Sequence, residues 1–242
     1  MAQYQFRKML LDSSASGRPG EKIIPKALVI HWTANTNTGA DAVANRNYFN
    51  STEMAVSAHY IVDDHQIVQC LPEEEMAYHV GADQYKPRAL KLLSTYPNDC
   101  TIGIEMCVNK DGIFSKTYRN TIALASDILR RYGWGAGNLW RHYDITGKLG
   151  PRFFVDDDSA KHYGFESAAA GWEKFKKDVS QGGADMGQFI DMEGHWAKEA
   201  VERAHELGLV SGKSENKFAP DEKCTRAEAV VMIMRLYDLL KE

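Results

Sequence analysis

The segment Ala27-Leu28-Val29-Ile30-His31 is the strongest constraint on how this 242-residue chain folds. It is a short apolar run fenced by Pro25 and by the polar stretch from Thr33 to Gly39, which predicts a buried strand. The strand ends in a histidine. Roughly a hundred residues later, Arg141-His142-Tyr143-Asp144-Ile145-Thr146-Gly147-Lys148-Leu149-Gly150-Pro151 places a second histidine where a strand is expected to give way to a loop. Histidines at the edge of a rigid sheet are common building blocks of metal sites. Only tertiary structure can bring together two that lie so far apart. Because a catalytic metal such as zinc normally has three protein ligands and one water, the pair raises the question of a third donor.

The rest of the chain alternates strand and helix signals. Residues 12–26 are rich in Ser, Gly, Pro and charge, and are expected to be irregular. Ala40 to Phe49 has helical spacing. Ala58–Val62 and Gln66–Cys70 flank Asp63-Asp64-His65 as a hairpin, and Thr101–Val108 is a further strand. Lys116 to Tyr132 carries Ile122, Ala125, Ile128 and Leu129 at amphipathic spacing and stops near Gly133. Strands mixed with helices in this way predict an α/β domain with a central mixed β-sheet flanked by helices. A short helical tail, Trp172 to Val179, precedes Ser180-Gln181-Gly182-Gly183-Ala184-Asp185-Met186-Gly187, a Gly-rich linker. The expected division is a domain over 1–180, a linker over 181–188, and a small helical domain over 189–242 with helices at 195–207 and 225–240.

Composition narrows the function classes. A net charge of −4 gives no electrostatic reason to expect nucleic acid as a partner. No window approaches the roughly 18 apolar residues of a membrane span. The start of the chain lacks the basic and apolar regions of a signal peptide, so synthesis in the cytoplasm is expected. Cys70, Cys100, Cys107 and Cys224 have no paired spacing and are expected to be free thiols.

Five spaced motifs, Val29–Asn35, Ser57–Asp63, Ala77–Gly81, Ile102–Glu105 and His142–Lys148, resemble the type-2 N-acetylmuramoyl-L-alanine amidases, the zinc family that includes peptidoglycan recognition proteins and many phage lysins. The resemblance runs from about Ile24 to Asp157. It implies a zinc ion held by His31 and His142, with Glu105 as the general base that takes a proton from water and returns it to the leaving amine. A carboxylate within an apolar strand would otherwise be costly. The resemblance further implies oxyanion stabilisation by Lys148 and substrate contacts from His79, Trp32 and Asn35, with His59 structural. One position departs from the family. Where it has a cysteine or aspartate directly before proline, this chain has Gly150, which has no side chain to donate. Three outcomes stay open: a replacement ligand (Asp144, the Asp156-Asp157-Asp158 run or Cys107), zinc held by two histidines and waters, or a site that binds peptidoglycan without cutting it.

In the second part, Asp191-x-x-x-His195-Trp196-Ala197, Gly208-Leu209-Val210-x-Gly212, Phe218-x-Pro220 and Thr225-Arg226-Ala227-Glu228 are expected on a helix, a Gly-punctuated loop and a second helix opened by a Thr225/Glu228 capping box. These strings resemble one S-layer homology motif. The resemblance implies binding to an anionic secondary cell-wall polysaccharide, with Arg226 pairing to its acid groups and Asp191 and Trp196 shaping the groove. Such motifs usually occur in threes, so a lone copy raises the expectation of self-association. Together the resemblances imply a zinc-dependent amidase that cuts between N-acetylmuramic acid and L-alanine and is anchored to the bacterial wall, of phage or prophage endolysin type. The alternative is an impaired peptidoglycan-binding protein.

Overall fold

The computed structural model describes residues 5–182, 189–192, 194–207, 209–214 and 217–240. The chain divides into two compact units, 1–183 and 184–242. Residues 183–188 of the expected linker, and Gly208, lie outside the described residues.

The first unit is built on six strands: β1 (Gln5–Lys8), β2 (Ala27–Trp32), β3 (Tyr60–Val62), β4 (Gln66–Gln69), β5 (Thr101–Met106) and β6 (Leu139–Arg141). They form one mixed sheet in the order β1-β4-β3-β5-β2-β6. The β3–β4 hairpin is antiparallel and all other pairings are parallel. Successive strand residues point to opposite faces. Ala27, Leu28, Val29 and Ile30 are nevertheless all fully buried, so both faces of the sheet are covered at β2. That explains the uninterrupted apolar run.

The covering helices are α1 (Ala42–Ser51), α2 (Pro87–Leu92), α3 (Phe114–Tyr132), α4 (His142–Thr146), α5 (Asp157–His162) and α6 (Ala168–Ser180). Asp41 caps α1 through Ala44 N–H at 2.7 Å. The amphipathic face of α3 packs across β2 to β5, and α6 packs on α3. Gly133 ends α3 in the left-handed conformation at φ 65°, a position that suits glycine. Phe153, Phe154, Phe165, Trp172 and Phe175 form an aromatic layer under the loop that follows α4.

The central mixed sheet and its flanking helices are as expected. Element ends shift by one to four residues, and three differences bear on the sheet and the site. β1, in a stretch without clear alternation, pairs in parallel with β4 and extends the sheet. β5 stops at Met106 rather than Val108. His142 does not enter a loop: it opens α4 directly from β6, an element of three residues and too short to carry a periodic signal.

The second unit contains α7 (Lys198–Glu206) and α8 (Arg226–Leu239). The capping box is formed: Thr225 Oγ1 accepts from Glu228 N–H at 3.2 Å while a Glu228 carboxylate oxygen accepts from Thr225 N–H at 2.7 Å. Gly212 is obligatory, because a Cβ there would lie 2.4 Å from the Phe189 ring. Among the described residues, no helix is long and apolar enough to cross a membrane.

Candidate active site

A cleft of about 260 Å³ opens above the carboxyl ends of β2 and β5. In the parallel register His31 lies beside Glu105, with Ile61 on the other side of Glu105, so both polar side chains leave the same face. β6 and α4 bring His142 against His31, Nδ1 to Nδ1, at 3.0 Å. The second nitrogen of His31, Nε2, is 2.9 Å from Nδ1 of His79. The three rings meet edge to face and are nearly sealed from solvent. Lys148, Trp32 and Gly150 also line the cleft.

Burial sets the electrostatics. Removal from water pushes the Glu105 carboxyl up to about 7, against the opposing pull of Lys148. The residue is partly exposed, yet its Oε2 is enclosed and has no hydrogen-bond partner. Burial, then repulsion from His142, holds His31 well below the usual imidazole range. His142 is driven down to about 4 by burial and then by Lys148. The imidazoles are therefore neutral at pH 7, the form in which imidazole ligates a metal.

These residues partly fit a zinc ion. Two Zn–N bonds of about 2.05 Å at a tetrahedral angle separate their nitrogens by about 3.3 Å, close to the observed His31–His142 spacing. His142 Nε2 is enclosed without a partner. The set is one donor short, since no group of three His, Cys, Asp or Glu able to hold a metal is present among the described residues.

Of the replacement donors considered from sequence, Asp144, Asp156, Asp157 and Cys107 are committed elsewhere, and Asp158 is exposed on α5. Asp144 makes a forked pair with Arg141 at 2.7 and 3.0 Å. Asp156 caps α5 through Ser159 N–H, and Asp157 accepts from Ala168 N–H. Cys107 lies in the apolar core with Phe49, Ile61 and Ala77, where burial raises its thiol. At Gly150 itself a Cβ would sit 3.7 Å from the His142 Cβ and 3.8 Å from Trp32, ordinary contacts that leave room for a side chain beside the pair.

The remaining site residues are placed as follows. His79 is buried and both its ring nitrogens are engaged by protein groups, although its edge lines the cleft. Trp32 lines the cleft and packs edge-on against Phe153. Asn35 is not a lining residue of this cleft; its side chain accepts from Asn37 N–H at 3.2 Å. His59 is wholly internal: its Nε2–H donates to Glu75 C=O at 2.8 Å and its Nδ1 accepts from Gly103 N–H at 3.0 Å. Sequence reasoning missed Gly103, which proves central to the site. A Cβ there would stand 2.7 Å from Nδ1 of His79, and a glycine inside an apolar strand is the signal that marks such a close approach.

In the second unit, Asp191 accepts from Phe218 N–H at 2.9 Å and from Ala219 N–H at 2.7 Å. These bonds hold its carboxyl below the usual range and brace a loop in which Ala219 adopts φ 59°. Trp196 is 91% exposed, and Arg226 is exposed at the start of α8.

A neutral imidazole pair beside an unpaired, high-pKa carboxyl on the edge of a mixed sheet can bind a cation and move a proton, the two capacities that amide hydrolysis requires. Residues 20–153 match the N-acetylmuramoyl-L-alanine amidase family and residues 188–230 match the S-layer homology domain. The chain belongs to the N-acetylmuramoyl-L-alanine amidase family. A probable N-acetylmuramoyl-L-alanine amidase of Bacillus licheniformis is 42% identical over 146 residues, 58% of this chain and 40% of that protein. The N-acetylmuramoyl-L-alanine amidase XlyA of Bacillus subtilis (strain 168) is 31% identical over 170 residues, 70% of this chain and 49% of that protein. The structure of the XlyA catalytic domain superposes with a TM-score of 0.59 at 28% identity, over 72% of this chain and 99% of that one. A mutant endolysin from Bacillus subtilis does so with a TM-score of 0.59 at 30% identity, over 73% and 99%. The chain thus spans half or less of the length of these curated relatives.

Proposed function

We propose that this chain is a peptidoglycan hydrolase that cleaves the amide between N-acetylmuramic acid and L-alanine, with residues 1–180 as the catalytic domain and 189–242 as a wall-binding domain. The observation that carries this reading is Glu105: a carboxyl with an enclosed, unpartnered Oε2 on the strand position next to His31. His31 and His142 would hold zinc through their Nδ1 atoms. When bound, zinc supplies a Lewis acid and lowers the pKa of water. Glu105, ionising near pH 7, accepts the proton of the attacking water at Oε2 and delivers it to the departing amine. Lys148, exposed at the rim, offers positive charge to the developing oxyanion, and Trp32 walls the cleft.

The S-layer homology domain supports retention on the cell wall, through Arg226 and Trp196 facing an anionic polysaccharide. The family match supports an endolysin-like lytic role. Self-association of the lone motif is part of the same reading. Its support is α8 and its C-cap, where Val230, Ile233 and Leu240 are 59, 64 and 79% exposed. Light scattering tests it, and a monomer at working concentration refutes it.

Gly150 favours a second reading, peptidoglycan binding with impaired hydrolysis, because two imidazoles hold zinc weakly. Zymography on purified Gram-positive walls separates the two. Clearing that chelator abolishes supports the hydrolase, whereas wall binding without clearing supports the second reading.

A further inference from the structure

The hydrogen-bond directions in the histidine cluster are determined by the groups at its inner end. His79 Nε2 lies 3.3 Å from Thr101 C=O and 3.1 Å from Thr101 Oγ1. The carbonyl only accepts. The hydroxyl donates its proton to Pro97 C=O at 2.6 Å and is therefore also an acceptor towards the ring. So His79 carries its proton on Nε2, and its Nδ1 is a bare lone pair. The partner of that lone pair, His31 Nε2 at 2.9 Å, must then be the donor. A neutral imidazole has one N–H, so His31 Nδ1 is bare and, at 3.0 Å, accepts from His142 Nδ1–H in the metal-free chain; a cation there would require that proton to move to His142 Nε2, which has no partner. The ring of His79 can lie where this requires because β5 has glycine at 103; any larger residue would press a Cβ to 2.7 Å from Nδ1 and 2.8 Å from Cγ.

We propose that His79 is a positioning residue, held by Thr101 and seated on Gly103, that locks His31 in the Nε2–H tautomer and so presents the Nδ1 lone pair to the cation position shared with His142. The inference rests on the zinc reading above only for its consequence; the tautomer is a property of the metal-free chain. Outer hydrogen bonds of this kind orient a ligating imidazole, and their loss typically costs about 10- to 100-fold in metal affinity.

The test is a long-range 1H–15N correlation spectrum of the histidine rings in the full, metal-free chain, paired with a zinc titration against a chromophoric chelator. In the unsubstituted protein His31 is expected to show a bare Nδ1 and a protonated Nε2. His79→Leu removes the acceptor, so His31 is expected to populate both tautomers and zinc affinity to fall about 10-fold or more. His79→Asn, whose Oδ1 takes the place of Nδ1, is expected to restore both readouts. Gly103→Ala, which displaces the ring while leaving every histidine in place, is expected to reproduce the loss. A His31 protonated on Nδ1 in the unsubstituted chain overturns the proposal. So does an unchanged tautomer in both His79→Leu and Gly103→Ala, or a changed tautomer with undiminished zinc affinity. An intact Nε2–H tautomer in a chain that takes up no zinc supports the lock and overturns the zinc reading alone.

Discussion

Replacing Glu105 with Gln separates the carboxyl's charge from its shape, and the structure sets the size and sign of the effect. The folded protein raises this carboxyl from its ordinary 4.5 to about 7. Below pH 4.5 it is protonated in both folded and unfolded chains and costs nothing. As pH rises, the unfolded chain ionises first, and the folded protein loses stability until it ionises as well near pH 7. The full displacement corresponds to about 3 kcal/mol, and partial exposure of the residue brings the expected value to about 2 kcal/mol. Glutamine does not ionise, so its stability relative to the parent should improve by that amount between pH 4.5 and pH 8.5. Urea unfolding at several pH values in the presence of chelator measures the difference. Tryptophan fluorescence suits the assay, because Trp32, Trp134, Trp140 and Trp172 all lie in the first unit. Activity should move the other way, falling about 10²- to 10⁴-fold, and the rising limb of the parent's pH–rate profile should have its midpoint near 7. A stability gap that stays flat from pH 4.5 to pH 8.5 would refute the claim that Glu105 is held in a desolvated, unpaired state.

Further outcomes follow from the same geometry. Gly150→Cys places a thiol where a Cβ meets only ordinary contacts, so zinc content by elemental analysis and wall hydrolysis should rise together; no change in either would show that the missing donor is not at this position. Phe153→Ala empties a fully buried position among Trp32, Phe154 and Tyr163 and should cost about 3 to 5 kcal/mol, measured by urea unfolding; a loss below about 1 kcal/mol would mean the aromatic layer collapses to fill the space. Trp196→Ala removes a side chain that is 91% exposed, so the fold should be unchanged while retention on purified walls falls in a pull-down; undiminished retention would remove Trp196 from the binding surface.

What could be read from sequence was what local physics encodes. A continuous apolar run specifies β2, a turn cluster between two β-rich runs specifies the β3–β4 hairpin, 3.6-residue periodicity ended by Gly133 specifies α3, and Thr225 with Glu228 specifies the start of α8. These signals span one turn or a few residues, so they hold wherever the chain places them. Spaced motifs extended that reach to the family and singled out His31, His142 and Glu105.

Tertiary structure decided the rest. The strand β1 has no readable period and is held by pairing with β4, far away in sequence, while the strand expected before His142 takes its place in the sheet only by pairing with β2. The fate of most replacement donors near Gly150 was likewise a matter of packing: Asp144 turns to Arg141, Asp156 to its own helix start, Asp157 to Ala168 N–H, and Cys107 into the core. The sequence alone placed two histidines at the ends of a sheet and left a gap at position 150. Only the fold, by laying His79 on a glycine of the neighbouring strand, determined which nitrogen of His31 faces His142, because proton placement depends on contacts between residues 48 and 111 positions apart.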